Sequence, residues 1–311
     1  MKICFIGACG HSSQAYGTVR KRTDCKIAGV APGPGNETIP DAFVKEAKRY
    51  GDYKDMLDEI CPDICVVSPI FGKTAEVTIE CAKRGINVFS EKPVASNTNE
   101  LNELEKTIRQ YNTRFSAMHY LRFDPAFYTG ADFVRNGGIG KVVMVNAQKS
   151  YIFGKRPNWY NDRDLYTGSI PWVGIHAIDW IYNFTGKRFL SVSALSVGNP
   201  EKTALCQYRL EDDVIASVNI DYYRPAGAPS HGDDYVRCVG TNGIIEVRYG
   251  RVVLIKDGIS DIAPKNDIPD PFEEFLNGKD PIDTKELFYL TKVSLLSREA
   301  ADTGKTIRIE E

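Results

Sequence analysis

The fold of this chain follows from the stretch Ile3-Cys4-Phe5-Ile6-Gly7-Ala8-Cys9-Gly10-His11-Ser12. The apolar run at residues 3–6 predicts a buried strand, and residues 12–21 carry the pattern of a helix. Glycines between a strand and a helix let the backbone turn tightly and approach a pyrophosphate, which then lies at the helix N-terminus. This order predicts dinucleotide binding; a turn with a purely structural role is the alternative.

The glycine turn departs from the usual G-x-G-x-x-G spacing of dinucleotide-binding domains. Cys9 stands at the second glycine position and Ser12 at the third, while Gly10 lies beside the second position and can take over part of its role. We still expect this turn to contact a nicotinamide dinucleotide. Its predicted cofactor-binding residues are Gly7, Cys9, Gly10, His11 and Ser12.

Strand and helix patterns alternate up to residue 118. Further strands are predicted at Cys25–Ala31, Asp63–Ser68, Ile86–Ser90 and Arg114–Met118. Helices are predicted at 40–50, 73–84 and 98–111, the last with Ser96 or Thr98 as its N-cap. Such alternation indicates βαβ units and a parallel sheet. Residues 1–119 are therefore predicted to form a doubly wound Rossmann domain.

The second part of the chain has a different pattern, in which short turns separate consecutive strands. Helices are predicted at 124–136, 172–185 and 284–301. Strands are predicted at Lys141–Ser150, 189–197, 203–210, 213–221, 234–240, 243–248, 251–256 and 305–309. Short turns between strands indicate an antiparallel or mixed sheet. We expect residues 120–311 to form an α+β domain with a large open sheet and helices on one face.

Composition narrows the function classes. The formal net charge of −2 gives no electrostatic reason to expect nucleic acid or an anionic membrane as a partner. No apolar run approaches the ~20 residues that span a bilayer. The eight cysteines are scattered, several of them in apolar runs, which predicts buried reduced thiols, no metal site and a cytoplasmic location.

The loop after the second strand bears on cofactor choice. It reads Val30-Ala31-Pro32-Gly33-Pro34-Gly35-Asn36-Glu37, with Pro32 where an acidic residue would hold the ribose hydroxyls. Glu37 could reach back to those hydroxyls, or Asn36 and backbone groups could face a 2′-phosphate. Because no Arg or Lys stands in this loop to neutralise that phosphate, NAD is slightly favoured over NADP.

Five landmarks, in order along the chain, carry a family resemblance. They are Pro62–Pro69, Cys81–Ala95 with Ser90-Glu91-Lys92-Pro93, Arg122-Phe123-Asp124-Pro125, Gly174-Ile175-His176-Ala177-Ile178-Asp179 and Thr303–Ile309. Over nearly its whole length the chain resembles the Gfo/Idh/MocA family, the glucose–fructose oxidoreductase and inositol dehydrogenase group. The resemblance implies NAD(P)-dependent hydride transfer between the nicotinamide and a sugar, cyclitol or related polyol or keto compound.

The resemblance assigns catalytic roles to two residues. Lys92 takes the place of the family lysine that contacts nicotinamide and substrate, where a cation favours an alkoxide-like state. His176 is the acid/base, since imidazole changes its charge near neutral pH. A solvated loop lysine and a core histidine are the alternative interpretations. Further cofactor contacts are implied for Pro32, Ser68, Pro69 and Glu91, besides Lys92 itself.

The chain departs from the family four residues before His176, where an Asp is common and Trp172 stands instead. Tryptophan cannot accept a proton, but it can stack on a sugar ring and donate one N–H. Tyr120, Tyr160, Trp172 and Asp179 are predicted to contact or orient the substrate. Lesser candidates are Asp162 or Asp164 as a substitute acid, His119 and His231 near the pocket, and Lys73 in a structural role.

Three functional interpretations remain open at this point. The first is an active dehydrogenase or reductase that uses Lys92 and His176. The second is a catalytically silent protein that senses cofactor or sugar, because Trp172 replaces the usual Asp. The third is transient oxidation during glycoside cleavage. The family also implies a homodimer or homotetramer through the open sheet, which the alternation along Val214–Ile220 and Tyr235–Val239 favours.

Overall fold

The computed structural model describes residues 1–45 and 47–310, which form two compact units. The first unit comprises residues 1–118, 164–167 and 270–292. The second comprises residues 119–163, 168–269 and 293–311, of which residue 311 is not described. Among the described residues, no helix has both the length and the apolar character needed to cross a membrane.

A parallel sheet forms the centre of the first unit. Six strands in the described part of the chain follow the order β3-β2-β1-β4-β5-β6. They are β1 Lys2–Ile6, β2 Lys26–Ala31, β3 Lys48–Arg49, β4 Ile64–Val67, β5 Asn87–Ser90 and β6 Phe115–Ala117. The helices are α1 Ser12–Arg20, α2 Asp41–Val44, α3 Tyr53–Ile60, α4 Thr74–Lys83 and α5 Thr98–Gln110. The prediction of a doubly wound parallel sheet is confirmed.

The strand order reverses between β1 and β4, and this position fixes where a ligand can bind. In open α/β sheets the crevice lies outside the carboxyl ends of the strands at such a switch point. Residues 3–6 of β1 are fully buried, as a strand covered on both faces requires. The glycine turn after β1 and Ser68 after β4 therefore lie at the predicted binding edge.

Local features of the first unit correct three predictions. The helix predicted at 40–50 is wrong, because among the described residues of that range only Asp41–Val44 is helical and Lys48–Arg49 pairs with β2 as an edge strand. Helix α3 was missed; its N-cap Asp52 accepts a hydrogen bond from the Lys54 amide at 2.7 Å. The N-cap of α5 is Asn97, which lies between the two residues named from the sequence. Edge pairing and caps depend on neighbours that a periodic pattern does not contain.

The second unit is built on a mixed sheet. Nine strands, counted over the residues of the unit that the structure describes, follow the order β14-β13-β12-β11-β7-β10-β9-β8-β15. They are β7 Val142–Tyr151, β8 Phe189–Gly198, β9 Glu201–Leu210, β10 Ile215–Asp221, β11 Gly232–Gly240, β12 Gly243–Arg248, β13 Arg251–Ile255, β14 Ile259–Ile262 and β15 Ile307–Arg308. The pair β7–β10 is parallel, and the other pairs are antiparallel. The prediction of a large mixed sheet is confirmed, although β14 was missed.

Helices cover one face of this sheet. They are α6 Pro125–Arg135 and α8 Ile175–Thr185, which follows a π-helical turn at Ile170–Gly174. The short α7 Arg163–Tyr166 lies between them in the chain. On β10, Ala216, Val218 and Ile220 are buried, while the alternate residues are more exposed. Gly174 lies so near Ile220 that a Cβ at Gly174 would come within 2.5 Å of the Ile220 Cδ1 atom. The start of α8 is thus fixed over the end of β10.

The segment 270–292 belongs with the first unit, although the sequence analysis placed it in the second domain. Helix α9, Pro271–Leu276, carries Phe272, whose ring centroid lies 4.7 Å from that of Phe89 in β5. Asp270 also accepts a hydrogen bond from the Thr18 hydroxyl at 2.9 Å. Helix α10, Thr284–Thr303, follows in the chain. A single division at residue 119 therefore does not describe this region. The sequence alone does not show this, because the apolar residues of α9 predict burial without revealing which sheet they cover.

Candidate active site

The glycine turn is held against the end of β4. The Gly7 amide donates to the Ala31 carbonyl at 2.9 Å, and the Cys9 amide donates to the Ser68 carbonyl at 2.8 Å. The Ser68 hydroxyl donates in return to the Cys9 carbonyl. Gly7 has a φ of +73°, and a Cβ there would lie 2.3 Å from the Ser68 oxygen. Only glycine fits this close approach, which brings the turn beside Ser68 and Pro69.

The N-terminus of α1 fits an anion. Its N-cap is His11, whose side chain makes no capping hydrogen bond, and the first turn contains no acidic residue. The first amides of a helix lack intrahelical acceptors and carry a partial positive charge, so they attract a phosphate group. Gly10 precedes them with a φ of +66°. Despite Cys9 and Ser12, the turn keeps left-handed glycines at residues 7 and 10 and leads directly into α1.

A fully buried carboxylate, that of Glu91, links this turn to Lys92. It accepts hydrogen bonds from the His11 amide at 2.5 Å and the Lys92 amide at 2.9 Å, and the His11 ring nitrogen Nδ1 lies 3.0 Å away. Burial favours the neutral acid, but the charge and hydrogen bonds of His11 and the charge of Lys92 hold the pKa of Glu91 below its ordinary value. Glu91 is therefore ionised, and it positions Lys92, which is itself buried.

Glu37 does reach back toward the carboxyl ends of β2 and β4. Its Oε1 accepts a hydrogen bond from the Ile70 amide at 3.1 Å, next to Pro69. A Cβ on Gly33 would lie 2.6 Å from Glu37 Oε1, so the glycine makes room for the carboxylate. The second oxygen, Oε2, is buried and has no hydrogen-bond partner among the described residues. Burial raises the pKa of Glu37. This oxygen can accept a hydrogen bond from a ligand hydroxyl.

The second unit contains a buried ionic cluster around Asp179 in α8. The Arg122 Nε donates to Asp179 Oδ1 at 2.9 Å and a second guanidinium nitrogen donates to the same oxygen, while His119 Nδ1 lies 3.4 Å from Oδ2. Burial would raise the pKa of Asp179, but the charge of Arg122 and the proximity of His119 bring it below its ordinary value. Asp179 and His119 are fully buried. The predicted substrate contact at Asp179 is therefore better described as an orienting role inside the protein.

His176 lies one helical turn before Asp179 and is also buried. Its ring meets that of His119 edge to face, with 6.0 Å between the centroids. Trp172 belongs to the π-helical turn that precedes α8, and its amide donates to the Gly168 carbonyl at 3.1 Å. Such turns frequently occur at functional sites. The structure therefore brings His119, His176 and Asp179 together within the second unit.

Glu201 was missed by the sequence analysis and fixes the loop before Trp172. Its carboxylate is buried, and the Ile170 amide donates to it at 3.4 Å. Gly168 has a φ of +91°, and a Cβ there would lie 2.0 Å from Glu201 Oε1. Burial raises the pKa of Glu201, with Arg163 at 3.9 Å as an opposing charge. No local sequence signal connects residue 201 with this loop.

The remaining candidates take different places. Tyr120 and Tyr160 are buried in the second unit, and Pro32 is partly exposed in the first. Asp162 and Asp164 are exposed. Lys73 pairs with Glu76 at 3.4 Å on the surface. Within residues 1–45 and 47–310, no group of three or more His, Cys, Asp or Glu side chains could hold a metal ion.

The strand order of the first unit and the glycine turn at its switch point define a nucleotide-binding α/β fold. Residues 1–119 match the oxidoreductase family with the NAD-binding Rossmann fold, and residues 128–246 match the GFO/IDH/MocA C-terminal domain. The chain belongs to the Gfo/Idh/MocA family of oxidoreductases, which confirms the resemblance drawn from its sequence.

Relatives and solved structures agree with this membership. A trans-1,2-dihydrobenzene-1,2-diol dehydrogenase of Xenopus tropicalis is 26% identical over 206 residues, which cover 64% of this chain and 60% of that protein. An inositol 2-dehydrogenase of Salmonella typhimurium is 22% identical, covering 46% of this chain and 42% of that one. An oxidoreductase-class structure from Thermotoga maritima superposes with a TM-score of 0.94 at 38% identity, covering 99% of this chain and 100% of that one. Levoglucosan dehydrogenase in complex with NADH and levoglucosan shares the fold, with a TM-score of 0.83 at 14% identity and coverage of 100% and 99%.

We predict that Asp179→Asn lowers the free energy of unfolding by about 3–5 kcal/mol at pH 7, because the buried Arg122 loses its counter-charge. The folded pKa of Asp179 is lowered, so its contribution is present above the unfolded pKa of about 4 and is lost as the pH falls through the folded pKa. Urea denaturation should show the gap between wild type and variant narrowing in acid. The exposed control Asp257→Asn should change little, and equal stability of Asp179→Asn and wild type would contradict the prediction.

Proposed function

We propose that the protein is an NAD(P)-dependent dehydrogenase or reductase that acts on a sugar, cyclitol or related polyol or keto compound. The observation that carries the proposal is the buried Glu91, whose carboxylate bonds both the amide that opens α1 and the amide of Lys92. The nicotinamide, when bound, donates or accepts the hydride. The Lys92 ammonium stabilises negative charge on the substrate oxygen while the proton moves.

His176 supplies the acid/base group in this proposal. The Arg122–Asp179 pair fixes the next turn of the same helix, so the imidazole is held on a rigid element. Trp172 gives no proton acceptor where an Asp is common, and it offers an apolar ring and one N–H instead. This substitution also supports the second candidate, a protein that binds cofactor and ligand without turnover.

We predict that Lys92→Ala and His176→Ala each lower kcat by ~10²–10⁴-fold on the best substrate, because each removes a group that acts on the moving proton or the developing charge. The test is steady-state kinetics on a panel of sugars, inositols and their keto forms, together with NADH titration by calorimetry. Lys73→Ala, an exposed lysine of the same unit, serves as the control and should keep wild-type activity.

The outcomes of this experiment separate the two candidates. Turnover that collapses in both variants while NADH binding persists supports the dehydrogenase. Tight NADH binding without turnover on any panel member favours the silent binding protein. Release of an aglycone from glycosides without net NADH change would point to transient oxidation. Absence of nicotinamide binding in the wild type would contradict all three.

We propose NAD as the preferred cofactor, on the strength of Glu37. Its buried, unpartnered Oε2 can accept a bond from a ribose hydroxyl, and the carboxylate would repel a 2′-phosphate. Glu37→Gln should therefore narrow the ratio of NADP to NAD dissociation constants by ~10–100-fold, as measured by calorimetry. The exposed control Glu76→Gln should leave the ratio unchanged. Tighter NADP than NAD binding by the wild type would overturn the proposal.

We also propose that two copies pack through the open face of the second unit's sheet, as a dimer or a dimer of dimers. Leu195 and Leu205 are direct partners across β8 and β9, and they are 70% and 42% exposed. Exposed apolar side chains that adjoin on a sheet face favour burial against a like face. Leu195→Glu should halve the mass measured by light scattering at micromolar concentration. Tyr111→Glu, in the first unit, should not, and a monomeric wild type would refute the interface.

A further inference from the structure

Aromatic rings gather at one end of three neighbouring strands in the second unit. Phe153 follows β7 and Tyr222 follows β10, with 5.2 Å between their ring centroids, and Tyr160 lies 6.3 Å from Phe153. Lys202 stands at the start of β9, where its carbonyl accepts the Tyr222 amide at 3.0 Å. Lys202 and Tyr222 share the alternation of the buried residues on their strands, so both lie on the helix-covered face. These rings form an aromatic cluster.

Two cations lie over the rings of this cluster. The guanidinium carbon of Arg156 is 5.2 Å from the Tyr160 centroid and 5.8 Å from that of Phe153. The Lys202 ammonium is 4.6 Å from the Phe153 centroid. Both side chains are partly buried, and Arg156 Nε is fully buried without a hydrogen-bond partner among the residues that the structure describes. In the described part of the chain, neither cation has a carboxylate within 4.0 Å.

Nearby charges do not neutralise this pair of cations. The Asp234 Oδ2 atom is bonded to the Lys149 ammonium at 2.8 Å, and the Tyr151 hydroxyl accepts from the same ammonium at 2.7 Å. The ring of His231 meets that of Tyr151 at 5.2 Å. Burial and the charge of Arg156 lower the pKa of His231. Asp234 therefore pairs with Lys149, and Arg156 adds to the positive charge that His231 meets.

We infer that Arg156 and Lys202 form a subsite for an anionic group, a carboxylate or a phosphate, on a small molecule whose C–H face packs on the aromatic cluster. Two like charges around one ring repel each other and are partly desolvated, and a bound anion removes both costs. A guanidinium can hold either anion through two parallel hydrogen bonds, while the ammonium acts as a point charge. The rings supply an apolar surface on which the C–H face of a sugar can pack.

The subsite lies close to the proposed substrate residues of the second unit. Tyr160, predicted from the sequence to contact substrate, belongs to the cluster itself. Gly174, two residues before His176, packs on Ile220, which precedes Tyr222 by one step along the same face of β10. The inference deepens the proposed function, on which its last step rests: the substrate is a sugar acid or sugar phosphate.

The first test measures binding without turnover, so that it stands apart from the proposed activity. The ¹⁵Nε signal of Arg156, assigned with Arg156→Gln, is followed while inorganic phosphate or acetate is added, and sodium chloride at equal ionic strength is the reference. We expect a saturable shift with at least one anion. In Lys202→Gln the affinity for that anion should be weaker than in wild type by ~10-fold or more. Lys155→Gln, an exposed neighbour with the same charge change, should match wild type. A shift that only follows ionic strength would overturn the subsite.

The second test distinguishes the two anions and connects the subsite with catalysis. The protein with NADH is titrated with glucuronate, glucose 6-phosphate and glucose, and kcat/KM is compared for anionic and neutral members of the sugar panel. Preference for an anionic form that falls by ~10-fold or more in Arg156→Gln, with glucose unaffected, supports the inference. A ratio of kcat/KM for anionic over neutral sugars that is the same in wild type and Arg156→Gln would refute it. Anion binding without turnover would contradict the proposed function but would still support the anion subsite.

Discussion

The carboxylate of Glu91 is the interaction on which the first unit's site depends. An ionised group without contact with water costs several kcal/mol unless donors surround it. Here the donors are the amide that opens α1, the His11 ring and the Lys92 amide, so the charge fixes two segments that are 80 residues apart in the chain. The carboxylate thus ties the glycine turn to the segment that carries the lysine.

The buried carboxylates of the protein fall into two groups with different uses. Glu91 and Asp179 face cationic side chains that hold their pKa values low, and each accepts hydrogen bonds inside the protein. Glu37 and Glu201 are held mainly by backbone amides, and burial raises their pKa values. The first pair therefore organises the site. In the second pair, Glu37 retains an oxygen for a ligand, while Glu201 is used to fix the turn before Trp172.

The elements that could be predicted from the sequence are those whose signal is local. Residues 3–6 are apolar without interruption because β1 is covered on both faces. Residue 7 must be glycine because a Cβ there would collide with the Ser68 carbonyl oxygen. The short motifs around Lys92 and His176 likewise indicated the family from local sequence alone. Two other contacts could not be predicted in this way. Arg122 and Asp179 are 57 residues apart in the chain, and Gly168 lies 33 residues before Glu201, which is on a distant strand. No periodic pattern in the sequence encodes such pairings.

The same distinction explains why the edge of the first sheet and the return of α9 to it were not foreseen. Lys48–Arg49 is a strand only because β2 offers a free edge, and Phe272 is a core residue only because Phe89 faces it. Apolar character alone predicts burial without naming the partner. The composition of a helix or strand therefore predicts whether it is buried but not which sheet it packs against.

The identity of residue 172 affects the net charge of the unit that contains Arg156. An Asp at residue 172 would place a negative charge in the unit that holds Arg156 and Lys202, and it would oppose an anionic substrate. The negative charge of Asp179 is already balanced by Arg122, whereas no carboxylate in the described residues lies against Arg156. Replacing Asp by Trp removes a proton acceptor and at the same time makes the unit more receptive to an anion. In the enzyme that we propose, the substitution would change which substrate is bound, and His176 would keep the proton transfer.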